Sequence, residues 1–321
     1  MKDLFGNEIM KKPEIIKVNI YADEVQEIEC PFTSEKWIYI GLIVENLDKP
    51  LLDEIIAIRY MNNFDVTSPY FKKNDRIIHW REIDGADVKN IAKRWIEYIL
   101  DPLKSGDKFY AYVLGINISK LNLEEFDSED IFNSVYNRFF RSAVLYVLKS
   151  AFPNNLIIVK NIFHEEGQQA RHKFFPWHCI YKIEESEENI KFECDEITFL
   201  PKSHRENEGG DKRSNLIQLC DLFLGLCVGL LHGIGTGKKE IYRKELLDLF
   251  LPLFERMINE PYNPNSRYQH KNRIMIRFFP REKTKPGDIR RLSNQFYTER
   301  RIYYIEQKSV QPKLFGSHNA R

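Results

Sequence analysis

Across residues 214–231 the chain reads as a helix that is apolar nearly all round, with one carboxylate, Asp221, set among Leu219, Cys220, Leu222, Phe223 and Leu224. A helix without a polar face has to be enclosed by other elements, so this segment predicts a layered core built around it. A buried carboxylate costs several kcal/mol unless it is paired or bound to a cation. Asp221 therefore predicts either an Arg, Lys or capping partner, or a metal ion. The purest apolar stretch, 219–231, falls short of the ~20 apolar residues that a membrane span needs, which predicts a soluble chain with no membrane partner.

The remaining sequence supplies the layers. Residues 17–24 alternate polar and apolar and end in Asp23-Glu24, predicting a strand that delivers carboxylates; 36–44 predict a more buried strand. Helices are predicted over 51–64, 87–100, 129–151 and 240–258, and further strands over 76–80, 107–117, 156–163 and 189–200. Strands interleaved with helices predict an α/β layered fold. With 43% hydrophobic and 13% aromatic residues the chain is too apolar for disorder, and 15 Gly and 14 Pro are too few for a fibrous protein. Its 321 residues hold one elaborated domain or two small ones. Met1-Lys2-Asp3-Leu4-Phe5-Gly6 starts no apolar run, so no secretory leader is expected. Five scattered cysteines without a Cys-x-x-Cys pair suit a reduced, cytoplasmic protein.

Net charge is uneven. Residues 262–321 hold 14 Lys or Arg against 4 Asp or Glu, an excess of +10 that leaves −9 for residues 1–261 of this +1 chain. A boundary is expected near 261, between an acidic body and a basic C-terminal extension. In that extension Arg273, Arg277, Arg281, Lys283, Arg290, Arg291, Arg300 and Arg301 are interleaved with Phe and Tyr. Cations for phosphates and rings for stacking are the footprint of nucleic-acid binding; a solvated face with ordinary core aromatics is the plainer alternative. The run 274–279 is apolar enough to be a strand packed on the body.

Acids recur at the ends of predicted elements: Asp23-Glu24, Glu82 after His79-Trp80-Arg81, Glu165-Glu166 after the 156–163 strand, and Asp221. Carboxylates converging at one sheet edge suit Mg²⁺ or Mn²⁺, hard cations that take oxygen ligands, and a pair of such ions can activate a water for phosphodiester cleavage. Zinc is disfavoured, because His164, His172 and His178 are spaced by 8 and 6 residues rather than in close pairs. Gly233-Ile234-Gly235-Thr236-Gly237-Lys238-Lys239 lacks the spacing and the Ser or Thr of a P-loop and follows a helix.

The order Tyr21-Ala22-Asp23-Glu24, His79-Trp80-Arg81-Glu82-Ile83, His164-Glu165 and Gln218-Leu219-Cys220-Asp221-Leu222-Phe223-Leu224-Gly225 resembles the bacterial domain of unknown function 3800 family across residues 17–230. The resemblance implies a ribonuclease H-like α/β fold, with a mixed sheet flanked by helices, and metal-dependent phosphodiester chemistry. Carried over, it makes Asp23, Glu82 and Asp221 metal ligands. The central strand offers His164, Glu165 and Glu166, of which Glu165 is favoured. Glu24, His164, Glu166 and Gln218 are then supporting or alternate groups. The turn Val25-Gln26 departs from the family's Ser-Gly, and Cys220 stands where the family has Ala. The expected function is a two-metal, water-activated nuclease on RNA or DNA, with a homodimer or a partner protein allowed. The alternative is a nucleic-acid-binding module with a degenerate site.

Overall fold

Long apolar segments, buried on both faces in the central strands, form one mixed sheet. β1 (Ile15–Glu29) and β2 (Lys36–Asn46) pair antiparallel, and β2 pairs antiparallel with β3 (Phe109–Asn117). β4 (Leu156–Glu165) runs parallel to β1, and both β5 (Ile190–Phe192) and β6 (Thr198–Leu200) run parallel to β4. β7 (Ile274–Phe279) runs parallel to β3. The order is β5-β4-β1-β2-β3-β7, with β6 beside β4, so β2 alone runs against the other six strands. The computed structural model describes residues 13–30, 34–61, 75–126, 131–167, 170, 175–233, 240–259 and 273–280.

Helices cover both faces. Toward one face lie α1 (Leu52–Tyr60), α2 (Ala86–Leu100), the short α3 (Pro102–Ser105), α6 (Ser214–His232) and α7 (Glu240–Asn259). α1, α2, α6 and α7 share a core with Tyr21, Tyr39, Val113 and Phe163 of the strands. Toward the other lie α4 (Ile131–Ala151) and α5 (Phe175–Ser186), packed on Ile20, Ala22, Leu42 and Ile162. The stripe of α2 buries Val88, Ile91, Ala92, Trp95, Ile96 and Ile99, as its spacing predicts.

Every residue of α6 is buried. At 19 residues it is long and apolar enough to cross a membrane by length and composition alone, which corrects the shorter span read from the sequence. Enclosure between the sheet, α1 and α7 makes it a core helix instead. It lies so close to β2 that a Cβ on Gly41 would come within 3.3 Å of Cys220 Sγ and Leu224.

Other expectations need correction. Residues 76–79 form no strand with any described residue, and a 3₁₀ turn, Trp80–Glu82, follows them. The predicted strand over 189–200 is two three-residue strands, each pairing separately with β4. α5 carries no expectation from the sequence, although Phe175, Cys179, Ile180 and Ile183 are buried on it at helical spacing. β7 lies beyond residue 261 and pairs with β3, in keeping with the apolar run expected to pack on the body.

Candidate active site

Strand alternation decides which acids meet. On β1, Tyr21 and Asp23 face α6, whereas Ala22 and Glu24 face the α4 side. On β4, Phe163 and Glu165 share the α6 side, and His164 points the other way into a ring cage of Tyr136, Phe140, Phe175 and Phe199. Asp23 stands opposite Gly41 of β2, and the missing side chain there lets α6 bring Asp221 to it.

The Asp221 and Asp23 carboxyls meet side by side in the buried site. The Asp23 Oδ1 also accepts the Glu24 N–H at 2.8 Å. Asp221 Oδ2 accepts the Trp80 N–H, and its Oδ1 lies 3.9 Å from His79 Nε2. Glu165 Oε1 meets Lys202 Nζ at 2.8 Å, a contact placed by the Glu165↔Leu200 register of β4 and β6. These groups line a cavity of about 290 Å³, shared with Gln26, Arg81, Glu166 and Gly225. Trp80 lies directly on α6 at Gly225, where any Cβ would overlap its ring. Arg243 of α7 holds the Trp80 carbonyl from behind at 3.0 Å.

The site is electrostatically loaded. Burial pushes the Asp23 carboxyl well above the usual carboxylate range, and repulsion from Asp221, Glu165 and Glu24 adds to it. Asp221 is raised as well, by burial first and by Glu165, against the opposing pull of His79, the Trp80 N–H and the Asp23 hydrogen bond. Asp23 and Asp221 are thus both held toward the protonated form, and each bears on the ionisation of the other. At Lys202, burial favours the neutral amine, but Glu165, Asp23 and Asp221 outweigh it and hold the ammonium form.

Of the expected ligands, Asp23, Glu165 and Asp221 come together and Glu82 does not. Glu82 is exposed at the end of its 3₁₀ turn and lies outside the cavity wall. That turn presents the Trp80 backbone N–H to Asp221 where a carboxylate was expected. His164 is not at the cavity either. Its Nδ1 faces the Glu165 carbonyl at 2.7 Å, which puts the proton there, so Nε2 accepts from the Tyr136 hydroxyl at 2.7 Å. Burial holds its pKa down to about 4. Glu24 reaches the rim with its carboxylate 3.4 Å from that Nε2, and Glu166 is exposed at the mouth. Gln218 supports the site from behind, accepting the Ile78 N–H at 3.0 Å and donating to the Lys202 carbonyl at 2.9 Å.

Among the expected nucleic-acid contacts, Arg273 is buried, 5% exposed, and donates to the Gly106 carbonyl, so it serves packing. Arg277 is half-buried over the Tyr146 ring and donates to its hydroxyl at 3.2 Å. Arg281, Lys283, Arg290, Arg291, Arg300 and Arg301 lie outside the described residues. Among the described residues, no three His, Cys, Asp or Glu side chains already enclose a metal position; Glu165 is engaged by Lys202 and Asp23 by Asp221. Lys202 and His79 are the site residues that the sequence reading missed or misplaced, since only strand register and the turn at Trp80 bring them in. No protein-family model matches the chain, and no curated protein or solved structure matches it.

Proposed function

We propose that the protein is a Mg²⁺- or Mn²⁺-dependent nuclease of ribonuclease H-like fold, related to the domain of unknown function 3800 family. The observation that carries this reading is the buried pairing of Asp23 with Asp221, with Glu165 beside them at the cavity. The strand order β3-β2-β1-β4-β5, with β2 reversed, supports the fold assignment. Ligand sites of open α/β sheets lie toward the carboxyl ends of the strands, as this one does on β4.

The donor set fits a hard divalent cation: oxygens only, on separate elements, with two carboxyl pKa values raised by burial and then by neighbouring carboxylates. Asp23, Asp221 and Glu165 would hold the ion. Such an ion supplies Lewis acidity at the phosphate and lowers the pKa of a water. The chain's own residues contribute the rest. The Trp80 N–H fixes the orientation of Asp221. His79 accepts the Arg81 N–H at Nδ1, leaving Nε2 to carry a proton toward Asp221. Lys202 and Arg81 place cations on the cavity wall for a phosphate. Attack by water in line at phosphorus needs no covalent enzyme intermediate. Nucleic acid, RNA or DNA, would be bound by the basic residues between 281 and 301.

A second reading, a binding module with a degenerate site, is favoured by one observation: Glu82 stands outside the cluster while the Lys202 ammonium sits within it. Labelled single- and double-stranded RNA and DNA, incubated with Mg²⁺, Mn²⁺ or EDTA, separate the two. The nuclease reading predicts metal-dependent cleavage that falls by about 100-fold or more in Asp221→Asn. Salt-sensitive binding without cleavage by the wild-type chain would favour the module.

A further inference from the structure

Behind the cavity lies a buried polar network that none of the chemistry above uses. Arg59 of α1 is 0% exposed, with its guanidinium 4.9 Å over the Trp95 ring. All three nitrogens are engaged. Nε donates to Asn215 Oδ1 at 2.8 Å, Nη2 to Gln218 Oε1 at 2.6 Å, and Nη1 to the Arg76 carbonyl at 3.0 Å and to Asp75 Oδ1 at 3.3 Å. Asp75 is bound in turn by His204 Nε2 at 3.0 Å, and His204 Nδ1 meets Gln218 Nε2 at 3.2 Å. The ring of partners closes only if His204 is neutral, with its proton on Nε2 donated to Asp75 and Nδ1 accepting from the Gln218 amide.

Two pieces of chain without regular structure, 75–79 and 201–205, meet the start of α6 on this ring. Each leads within a few residues to a group at the acids. From Ile78, whose N–H is held by Gln218, the next N–H but one is that of Trp80, donated to Asp221. The Lys202 carbonyl is held by the same Gln218, and its ammonium meets Glu165. Removing one member would strand buried donors and acceptors, so the network either holds together or lets both segments go.

We propose that Arg59, acting through Asp75, Gln218 and His204, is a positioning residue that clamps the 75–80 and 201–205 segments so that Trp80 and Lys202 meet Asp221 and Glu165. The role in catalysis rests on the nuclease reading; the clamp itself does not. The test is amide hydrogen exchange on the full chain in Arg59→Lys and in His204→Leu, the second variant covering the case in which the first fails to fold. In a folded variant, exchange at Ile78 and Trp80 should rise by about tenfold or more, while β2 and β3 stay protected. With the best cleaved substrate and Mg²⁺, kcat should fall by about tenfold or more with KM nearly unchanged. Protection of Ile78 and Trp80 as in wild type, in folded variants, would overturn the clamp. An exposed segment with unchanged kcat would overturn its link to the site. If the wild-type chain cleaves nothing, the nuclease reading fails, and exchange alone still decides the clamp.

Discussion

Without a cation, Asp23 and Asp221 work against folding at neutral pH, because both carboxyl pKa values are raised in the folded chain. The folded state then binds protons more tightly than the unfolded one. The stability this confers is complete below the unfolded value of about 3.9 and is lost as pH rises through the folded values. Asp23→Asn removes the carboxyl whose ionisation the folded chain resists, and its amide oxygen can still accept the Glu24 N–H. In EDTA the variant should therefore be more stable than wild type at pH 7, by about 1 kcal/mol or more. That gap should close as pH falls toward 4 in urea titrations; a variant less stable than wild type at pH 7 would contradict the repulsion. Asp221 and Asp23 were legible because one is an acid ringed by apolar neighbours and the other ends an alternating run. Choosing Glu165 over His164 needed the parity of β4 to be fixed by its neighbours. Glu82 stands outside the cluster because a three-residue turn, which no periodicity announces, points a backbone N–H at Asp221 in its place.

Long periodic elements were readable, and short ones defined by their pairing were not. β1, β2, β3, α2 and α6 follow from period two, from helical spacing or from sheer apolarity. β5 and β6 exist because β4 offers an edge to each, which local sequence does not encode. The packing of Trp80 on α6 belongs to this scale. Gly225 lies one turn beyond Asp221, and the absence of a side chain there lets Trp80 approach closely enough to reach Asp221. Gly225→Ala should push the 3₁₀ turn off the helix, cost about 1–3 kcal/mol by overpacking, and strip the Trp80 amide of its protection from exchange. A variant with wild-type Tm and a protected Trp80 amide would show that the close packing is not needed.

At the scale of the whole molecule, six strands share one direction, and side-chain alternation sends Asp23 and Glu165 to the helix layer that carries Asp221. The α/β class was readable from the interleaving of elements. The role of β7 was half-readable: its apolar run was evident, but its place beside β3 depends on contacts between residues far apart in the chain, such as Ala111 and Ile274. Charge asymmetry, with an acidic body and a basic C-terminal region, suits a cation at the acids and a polyanion outside them. A nuclease of this kind requires the cation. Calorimetric titration of Mn²⁺ into the metal-free protein at pH 7 should give saturable binding in wild type, and that binding should vanish in Asp23→Asn and Asp221→Asn. Millimolar Mn²⁺ should raise Tm in wild type alone, because the ion binds only the folded arrangement of acids. No heat and no Tm shift in wild type, or equal binding by Asp221→Asn, would contradict it.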